Sequence, residues 1–165
     1  MISTNTKDLE SERRFLFYIG IKALITYGKH VLILSSGKEE LSSTKRKMAF
    51  WDLPGGKIEV GEQVEDALRR EVSEELGVSK NDLKIGELFD VSVSNFKVSH
   101  GQHIPLILVT YICKLNNPGR NFVLSNEHSR YEWVDCKTAA RRLAVKFNKS
   151  FVRKLQQYDI KALHS

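Results

Sequence analysis

Residues 55–78 read GGKIEVGEQVEDALRREVSEELGV, and this stretch decides how the rest of the chain is interpreted. Its apolar residues recur every four positions, which predicts a helix over residues 62–76 with one continuous apolar ridge. The ridge consists of Val64, Leu68, Val72 and Leu76. Gly77 follows the last apolar residue, at the position where glycine commonly ends a helix. We expect the ridge to pack on the remainder of the domain.

The same helix carries three glutamates on one side. Glu71, Glu74 and Glu75 fall within an arc of roughly 100° on a helical wheel. Like charges so spaced repel each other by about 0.2–0.5 kcal/mol per pair, and a bound cation would reverse this repulsion. Hard divalent ions such as Mg²⁺ take carboxylate oxygens as ligands. From these three residues alone, a solvated acidic face remains the more common alternative.

The segments on both sides of this helix predict strands. An aromatic and β-branched run at 15–26 and a second at 30–34 form a hairpin around a turn at 27–29. Two longer runs at 84–98 and 104–115 predict long strands that are paired or neighbouring. A short strand is predicted at 131–134, and helices at 138–144 and 148–163. Strands, one central helix, strands and then helices indicate an α+β layered domain with a mixed sheet.

Composition narrows the class of protein. The 165 residues fit one domain, which we predict over 14–165 behind a polar N-terminal arm at 1–13. The two cysteines form no CxxC pair, which excludes a zinc ribbon and a disulfide scaffold. A net charge of +6 suits phosphate-bearing ligands but is weak support for nucleic-acid binding. The polar N-terminus and the short apolar runs predict a cytoplasmic protein with no membrane contact.

The acidic helix is part of a longer pattern. Seven residues at fixed spacing, with apolar residues at Val72 and Val78, resemble the Nudix box of the Nudix hydrolase family at every defined position. The seven are Gly56, Glu62, Arg70, Glu71, Glu74, Glu75 and Gly77. The lead-in at residues 51–54 (WDLP) is also similar to the usual one in the family. The resemblance implies an α/β/α sandwich and extends over about residues 14–145.

The resemblance also implies an activity and a site. The expected reaction is Mg²⁺- or Mn²⁺-dependent cleavage of a nucleoside diphosphate linked to another group. The implied metal ligands are Glu71, Glu74, Glu75 and the backbone carbonyl of Gly55. Arg70 is expected to orient a glutamate by a charge-assisted hydrogen bond. The loop residues expected to hold the substrate phosphates are Gly55, Gly56, Lys57 and Glu62.

A general base is expected outside the box. Glu127 lies six residues before Trp133, an offset that resembles the position of a metal ligand or base in some family members. The alternative for Glu127 is an ordinary loop glutamate, and His128 is the less favoured alternative base. Lys22 is a further candidate phosphate contact, with a solvated lysine as the equal alternative.

The substrate is not encoded in the box. Residues 79–104 contain neither the proline nor the tyrosine that mark the ADP-ribose and dinucleoside polyphosphate types of the family. The resulting prediction is a nucleoside triphosphate, oxidised or not, or a nucleotide sugar. A nucleotide sensor and an RNA-cap-directed protein remain as alternatives. Expected partners are a small nucleotide and no nucleic acid, and homodimers are common in the family.

Overall fold

The computed structural model describes residues 16–36, 50–99 and 103–160. Within these ranges the chain forms six strands and three α-helices. The strands are β1 (Tyr18–Tyr27), β2 (His30–Ser36), β3 (Trp51–Asp52), β4 (Leu83–Ser99), β5 (His103–Leu115) and β6 (His128–Asp135). The helices are α1 (Val64–Leu76), α2 (Cys136–Leu143) and α3 (Lys149–Gln157). The arm predicted at 1–13 lies outside the described residues.

All six strands belong to one mixed sheet. Its order is β3-β2-β1-β5-β4, and β6 pairs with β2. β1 and β5 are parallel, with Tyr18 opposite Leu106 and Ile25 opposite Cys113. The other strand pairs are antiparallel, including the two long strands β4 and β5 that the sequence placed as neighbours. The predicted mixed sheet is therefore confirmed.

Helices cover both faces of this sheet. Alternate residues of β1 point to opposite sides, as the two-residue period of a strand requires. Leu24 packs with α2 and α3, whereas Ile21 and Ala23 pack with α1. The α+β prediction is thus confirmed, and each face of the sheet has its own hydrophobic core.

Helix α1 has the predicted ridge over most of its length. Leu68, Val72 and Leu76 are fully buried, whereas Val64 in the first turn is 37% exposed. Gly77 ends the helix in the left-handed conformation (φ 63°) and donates its N–H to the Ser73 carbonyl. The acidic residues beside the ridge are therefore held on a rigid, buried support.

The C-terminal helix is shorter than predicted. It ends at Gln157 because Tyr158 adopts an extended conformation (φ −70°, ψ 122°). The Tyr158 ring instead packs edge-on against Phe89, with 5.2 Å between the ring centroids. Conversely, β6 begins at His128, earlier than predicted, because it pairs with β2 along its whole length. In the described ranges no helix has the length and apolar character needed to cross a membrane.

Candidate functional site

The loop before α1 is fixed along one edge of β1. The Ile21 N–H donates to the Gly56 carbonyl and the Ala23 N–H to the Pro54 carbonyl, both at 2.8 Å. Gly55 has φ 124°, and a Cβ at this position would overlap the Ile21 carbonyl oxygen. Only glycine fits such a backbone without strain. This loop, residues 53–56, is called the glycine loop below.

Glu75 joins α1 to the glycine loop. Its Oε2 accepts a hydrogen bond of 2.7 Å from the Gly55 N–H. Its Oε1 lies 2.8 Å from His128 Nε2 at the start of β6. The Glu75 side chain is only 7% exposed, so both carboxylate oxygens are held away from bulk water. A carboxylate fixed in this way keeps one orientation.

Three side chains converge around this carboxylate. Ligand atoms of Glu75, Glu127 and His128 all lie within 4.8 Å of one another. These three residues are called the Glu75 group. Glu127, the predicted base, is exposed, whereas His128 is buried. Glu127 therefore lies beside Glu75, and the less favoured His128 contacts Glu75 directly.

His128 is electrostatically coupled to Glu75. Burial by itself lowers the pKa of His128, but the hydrogen bond to Glu75 and the Glu75 charge outweigh it and raise the pKa above its usual value. The other ring nitrogen, Nδ1, is buried and finds no hydrogen-bond partner among the described residues. An unpaired buried nitrogen is costly, so a water or ligand at Nδ1 would be favourable.

Arg70 organises a second set of carboxylates. Its Nε and Nη2 bind the two Glu62 oxygens at 2.8 and 2.9 Å, in the forked geometry typical of strong arginine–carboxylate pairs. Its Nη1 donates to Glu71 at 2.8 Å and lies 3.6 Å from Glu74. Arg70, Glu62, Glu71 and Glu74 are called the arginine-held group. The Arg70 hydrogen bonds lower the pKa of Glu62 to about 2.

Glu71 occupies the space left open by Gly56. A Cβ on Gly56 would overlap the Glu71 carboxyl group, which explains a glycine at this position. Burial raises the pKa of Glu71, although its hydrogen bond and charge interaction with Arg70 act in the opposite direction. A cation near Glu71 would offset the burial cost of its ionised form.

The predicted metal ligands thus fall into two groups. Glu71 and Glu74 belong to the arginine-held group, and Glu75 lies with Glu127 and His128. The Gly55 carbonyl accepts a hydrogen bond from Lys22. Carboxylate oxygens suit Mg²⁺ and Mn²⁺, and imidazole nitrogen also suits transition metals. The donor set therefore fits a divalent cation.

The two lysines expected to contact phosphate, Lys57 and Lys22, lie in different environments. Lys57 lies at the exposed rim, with its Nζ 4.9 Å from the centre of the Tyr18 ring. Lys22 is only 4% exposed, so its solvated alternative is wrong. It binds Asp52, a buried residue that also accepts from Lys146. Two sequence features could have indicated this contact: a lysine inside the apolar run IKALI and an aspartate in the lead-in at residues 51–54.

Comparison with known proteins identifies relatives that are similar to this chain in sequence. Nucleoside triphosphatase NudI of Salmonella schwarzengrund is 33% identical over 90 residues, which cover 51% of this chain. A putative 8-oxo-dGTP diphosphatase of Bacillus subtilis is 37% identical over 54 residues, 33% of this chain. The aligned segments span 60% and 36% of these relatives' own lengths.

Solved structures match over more of the chain. A C. elegans Ap4A hydrolase binary complex superposes with a TM-score of 0.62 and 25% identity, covering 83% of this chain and 93% of its own. A MutT protein from Methanosarcina mazei has the same TM-score at 22% identity, covering 87% and 95%, and so supports the fold. The prediction of a Nudix hydrolase agrees with these names. A family model described as NUDIX domain matches residues 20–155, and the chain therefore belongs to this family.

Proposed function

We propose that this protein hydrolyses a phosphoanhydride bond in a nucleoside diphosphate linked to another group, with Mg²⁺ or Mn²⁺. Nucleoside triphosphates, oxidised ones included, are the first substrate class and nucleotide sugars the second. One observation carries this proposal: Glu75 is held by the Gly55 N–H, while Glu127 and His128 lie within 4.8 Å in ligand-atom distance. Such a fixed acidic centre beside a glycine loop suits polyphosphate chemistry.

The residues that would hold the ion are those named by the sequence. They are Glu71, Glu74, Glu75 and the Gly55 carbonyl, with Glu127 adjacent to Glu75. A bound divalent cation supplies charge neutralisation on the diphosphate and lowers the pKa of the attacking water. The repulsion between neighbouring glutamates would also fall.

The chain's own side chains have separate roles in this proposal. Gly55 and His128 keep Glu75 in one orientation. Arg70 does the same for Glu71 through the bond from Nη1. A Glu127 carboxylate oxygen accepts a proton from the attacking water while the water oxygen forms a bond to phosphorus. The bridging P–O bond then breaks, and the leaving phosphate takes the electron pair.

The substrate class has support from two sides. The two relatives compared by sequence are named for nucleoside triphosphates and 8-oxo-dGTP. The net charge of +6 favours encounter with a polyanionic nucleotide. We further propose one domain over 14–165, a cytoplasmic protein, no nucleic-acid partner and a homodimer. Size-exclusion chromatography with light scattering tests the homodimer directly.

Product analysis tests the activity. Phosphate and pyrophosphate release is measured with Mg²⁺ or Mn²⁺ against canonical and oxidised nucleoside triphosphates, nucleotide sugars, ADP-ribose and dinucleoside polyphosphates. The expected result is one class with kcat/KM above about 10⁴ M⁻¹s⁻¹. Glu75→Gln is the inactive control, and Glu65→Gln in the first turn of α1 is the matched acidic control.

The other outcomes separate the alternatives. Turnover of capped RNA alone would replace the small-nucleotide proposal with the RNA-cap alternative. Nucleotide binding without turnover of any substrate in the panel would favour a sensor. Equal turnover by the wild type and Glu75→Gln would contradict the proposed site.

A further inference from the structure

A buried lysine lies against the glycine loop. The Lys22 Nζ donates to Asp52 Oδ2 at 2.8 Å, to the Leu53 carbonyl at 3.2 Å and to the Gly55 carbonyl. An ammonium group has three N–H donors, and these three acceptors match them. Two of the acceptors are backbone groups of the loop itself. Lys22 therefore bonds directly to the loop on which the proposed site is built.

Burial makes the loss of these hydrogen bonds costly in free energy. Lys22 and Asp52 have side chains that are only 5% and 6% exposed. A buried ammonium that lost its partners would carry a large desolvation cost, so the side chain is confined to this geometry. A second buried contact strengthens the arrangement, since Asp52 also accepts from Lys146. The lysine is therefore a fixed part of the interior.

Lys146 extends the contact to a distant strand. It lies between α2 and α3, and its carbonyl accepts from the Asn95 N–H at 2.8 Å and from Ser94 Oγ at 2.9 Å. Asn95 Nδ2 also donates to the Phe147 carbonyl at 2.9 Å. The segment around Lys146 is thus attached to β4. Lys22, Asp52 and Lys146 connect the glycine loop to both β1 and β4.

The Gly55 carbonyl belongs both to the Lys22 contact and to the proposed metal site. Gly55 presents its N–H to Glu75 and its carbonyl to Lys22, so both polar groups of one residue are fixed by buried charges. A carbonyl oxygen has two lone pairs, so accepting from Lys22 leaves it able to ligate a cation as well. A ligand whose direction is already fixed favours metal binding, and here this gain has to exceed the repulsion between the cation and the nearby ammonium.

We propose that Lys22 is a positioning residue that sets the direction of the Gly55 carbonyl and thereby strengthens divalent-cation binding at the site. This inference rests on the proposed function, which makes that carbonyl a metal ligand. Lys22 acts through the loop and does not contact the substrate. The earlier alternative of a phosphate contact is disfavoured because its three N–H donors are matched by protein acceptors.

The test measures Mn²⁺ binding without turnover. Lys22→Met keeps the unbranched side chain and removes the ammonium. Free Mn²⁺ is followed by electron paramagnetic resonance during titration of wild type and variant. We expect Lys22→Met to bind Mn²⁺ about tenfold or more weakly, as loss of an outer partner of a metal ligand typically does. With substrate, kcat at fixed Mn²⁺ falls while the nucleotide KM stays near the wild-type value.

A matched control comes from α3. Lys154 also donates to a backbone carbonyl, that of Phe89, and its Nζ lies 4.9 Å from the centre of the Phe89 ring. It contacts β4 and not the glycine loop. Lys154→Met is therefore expected to bind Mn²⁺ like the wild type. A decrease of equal size in both variants would assign the effect to general loss of charge and overturn the proposal.

The remaining outcomes are also decisive. Wild-type or tighter Mn²⁺ affinity in a folded Lys22→Met variant overturns the positioning role. If that variant does not fold, Asp52→Asn weakens the hold on the ammonium while keeping an oxygen acceptor, and a smaller loss of affinity is expected. Unchanged affinity in Asp52→Asn then overturns the proposal. If the wild type itself binds no Mn²⁺, or Glu75→Gln binds it equally well, the proposed function fails and not only the role of Lys22.

Discussion

Glu74 and Glu75 are neighbours on one helix, yet they belong to differently built groups. The Glu74 side chain is 60% exposed and faces Arg70, whereas the Glu75 side chain is 7% exposed and contacts Gly55 and His128. Consecutive residues on a helix point about 100° apart. That angle places Glu75 against the glycine loop and leaves Glu74 facing solvent.

The two glutamates show two ways in which a protein can hold a carboxylate. The arginine-held group is fixed by one side chain, 20% exposed, whose charge is shared among three glutamates. Glu75 is fixed by a backbone N–H and by a buried imidazole. We therefore expect the arginine-held group to adjust more than Glu75 when an ion or substrate arrives.

The largest effect is expected from Glu75→Gln. Loss of the buried charge should reduce kcat by several orders of magnitude while the protein remains folded, because the hydrophobic core does not depend on it. Glu74→Gln should also reduce kcat by several orders, through loss of a proposed metal ligand. Steady-state kinetics with circular dichroism measure both. Wild-type turnover in either variant would contradict the assignment of that residue as a metal ligand.

Arg70→Lys tests the arginine-held group. Lysine keeps the positive charge but lacks the planar fork that binds both Glu62 oxygens. We expect kcat to fall by about 10–100-fold, as changes in the outer partners of metal ligands typically do. Full activity would mean that charge alone, and not the forked geometry, orients Glu71.

His128 offers a paired comparison on the other group. His128→Gln can place an amide N–H near the position of Nε2, whereas His128→Leu removes the donor to Glu75. Mn²⁺ affinity should fall by about 10–100-fold in His128→Leu and by less in His128→Gln. Equal losses in the two variants would mean that ring packing, and not the hydrogen bond to Glu75, is what matters.

Acid stability gives the smallest effect and compares a buried carboxylate next to the glycine loop with one in the arginine-held group. Burial raises the pKa of Asp52, but Lys146 and Lys22 outweigh it and lower the pKa to about 2. Glu62 reaches a similar pKa of about 2 at the surface, chiefly through its hydrogen bonds to Arg70. Both pKa values are lower in the folded state, so the associated stability is present above the unfolded values and is lost as the pH falls towards about 2.

Salt separates these two contributions. Urea unfolding in EDTA at pH 5 and pH 2.5 should show about 2 kcal/mol of pH-dependent stability for Asp52. This share should persist in 1 M NaCl and disappear in Asp52→Asn. The share from Glu62 should shrink in 1 M NaCl because salt screens this partly exposed pair more than the buried contacts of Asp52. If the difference in pH-dependent stability between the wild type and Asp52→Asn shrank in 1 M NaCl, this assignment would be contradicted.

The parts predicted from sequence are those set by local spacing. The helix predicted over 62–76, which the structure has at Val64–Leu76, and its glycine end depend on residues within one or two turns. The contact of Arg70 with a glutamate, which the resemblance implied, is equally local. The strands were predicted from their apolar runs, and the mixed sheet from their order. The family resemblance then assigned chemical roles that spacing alone left open.

The remaining features depend on long-range contacts that spacing does not encode. Glu75 and His128 lie 53 positions apart, and Lys22 and Gly55 lie 33 apart. The extended conformation of Tyr158 arises with ring packing against Phe89 on another strand. Burial of Lys22 is likewise a tertiary effect, since nothing near it in sequence supplies the acceptors.

The parallel pairing of β1 with β5 has a consequence for how the chain folds. β1 holds the glycine loop along one edge, but its other edge is completed only by residues 106–113, which follow α1 and β4 in the chain. During synthesis this strand is therefore half-paired until most of the protein has been made. His128, which completes the hold on Glu75, emerges later still. The non-local pairing should make folding slow for a protein of this size, with the site forming among the last events.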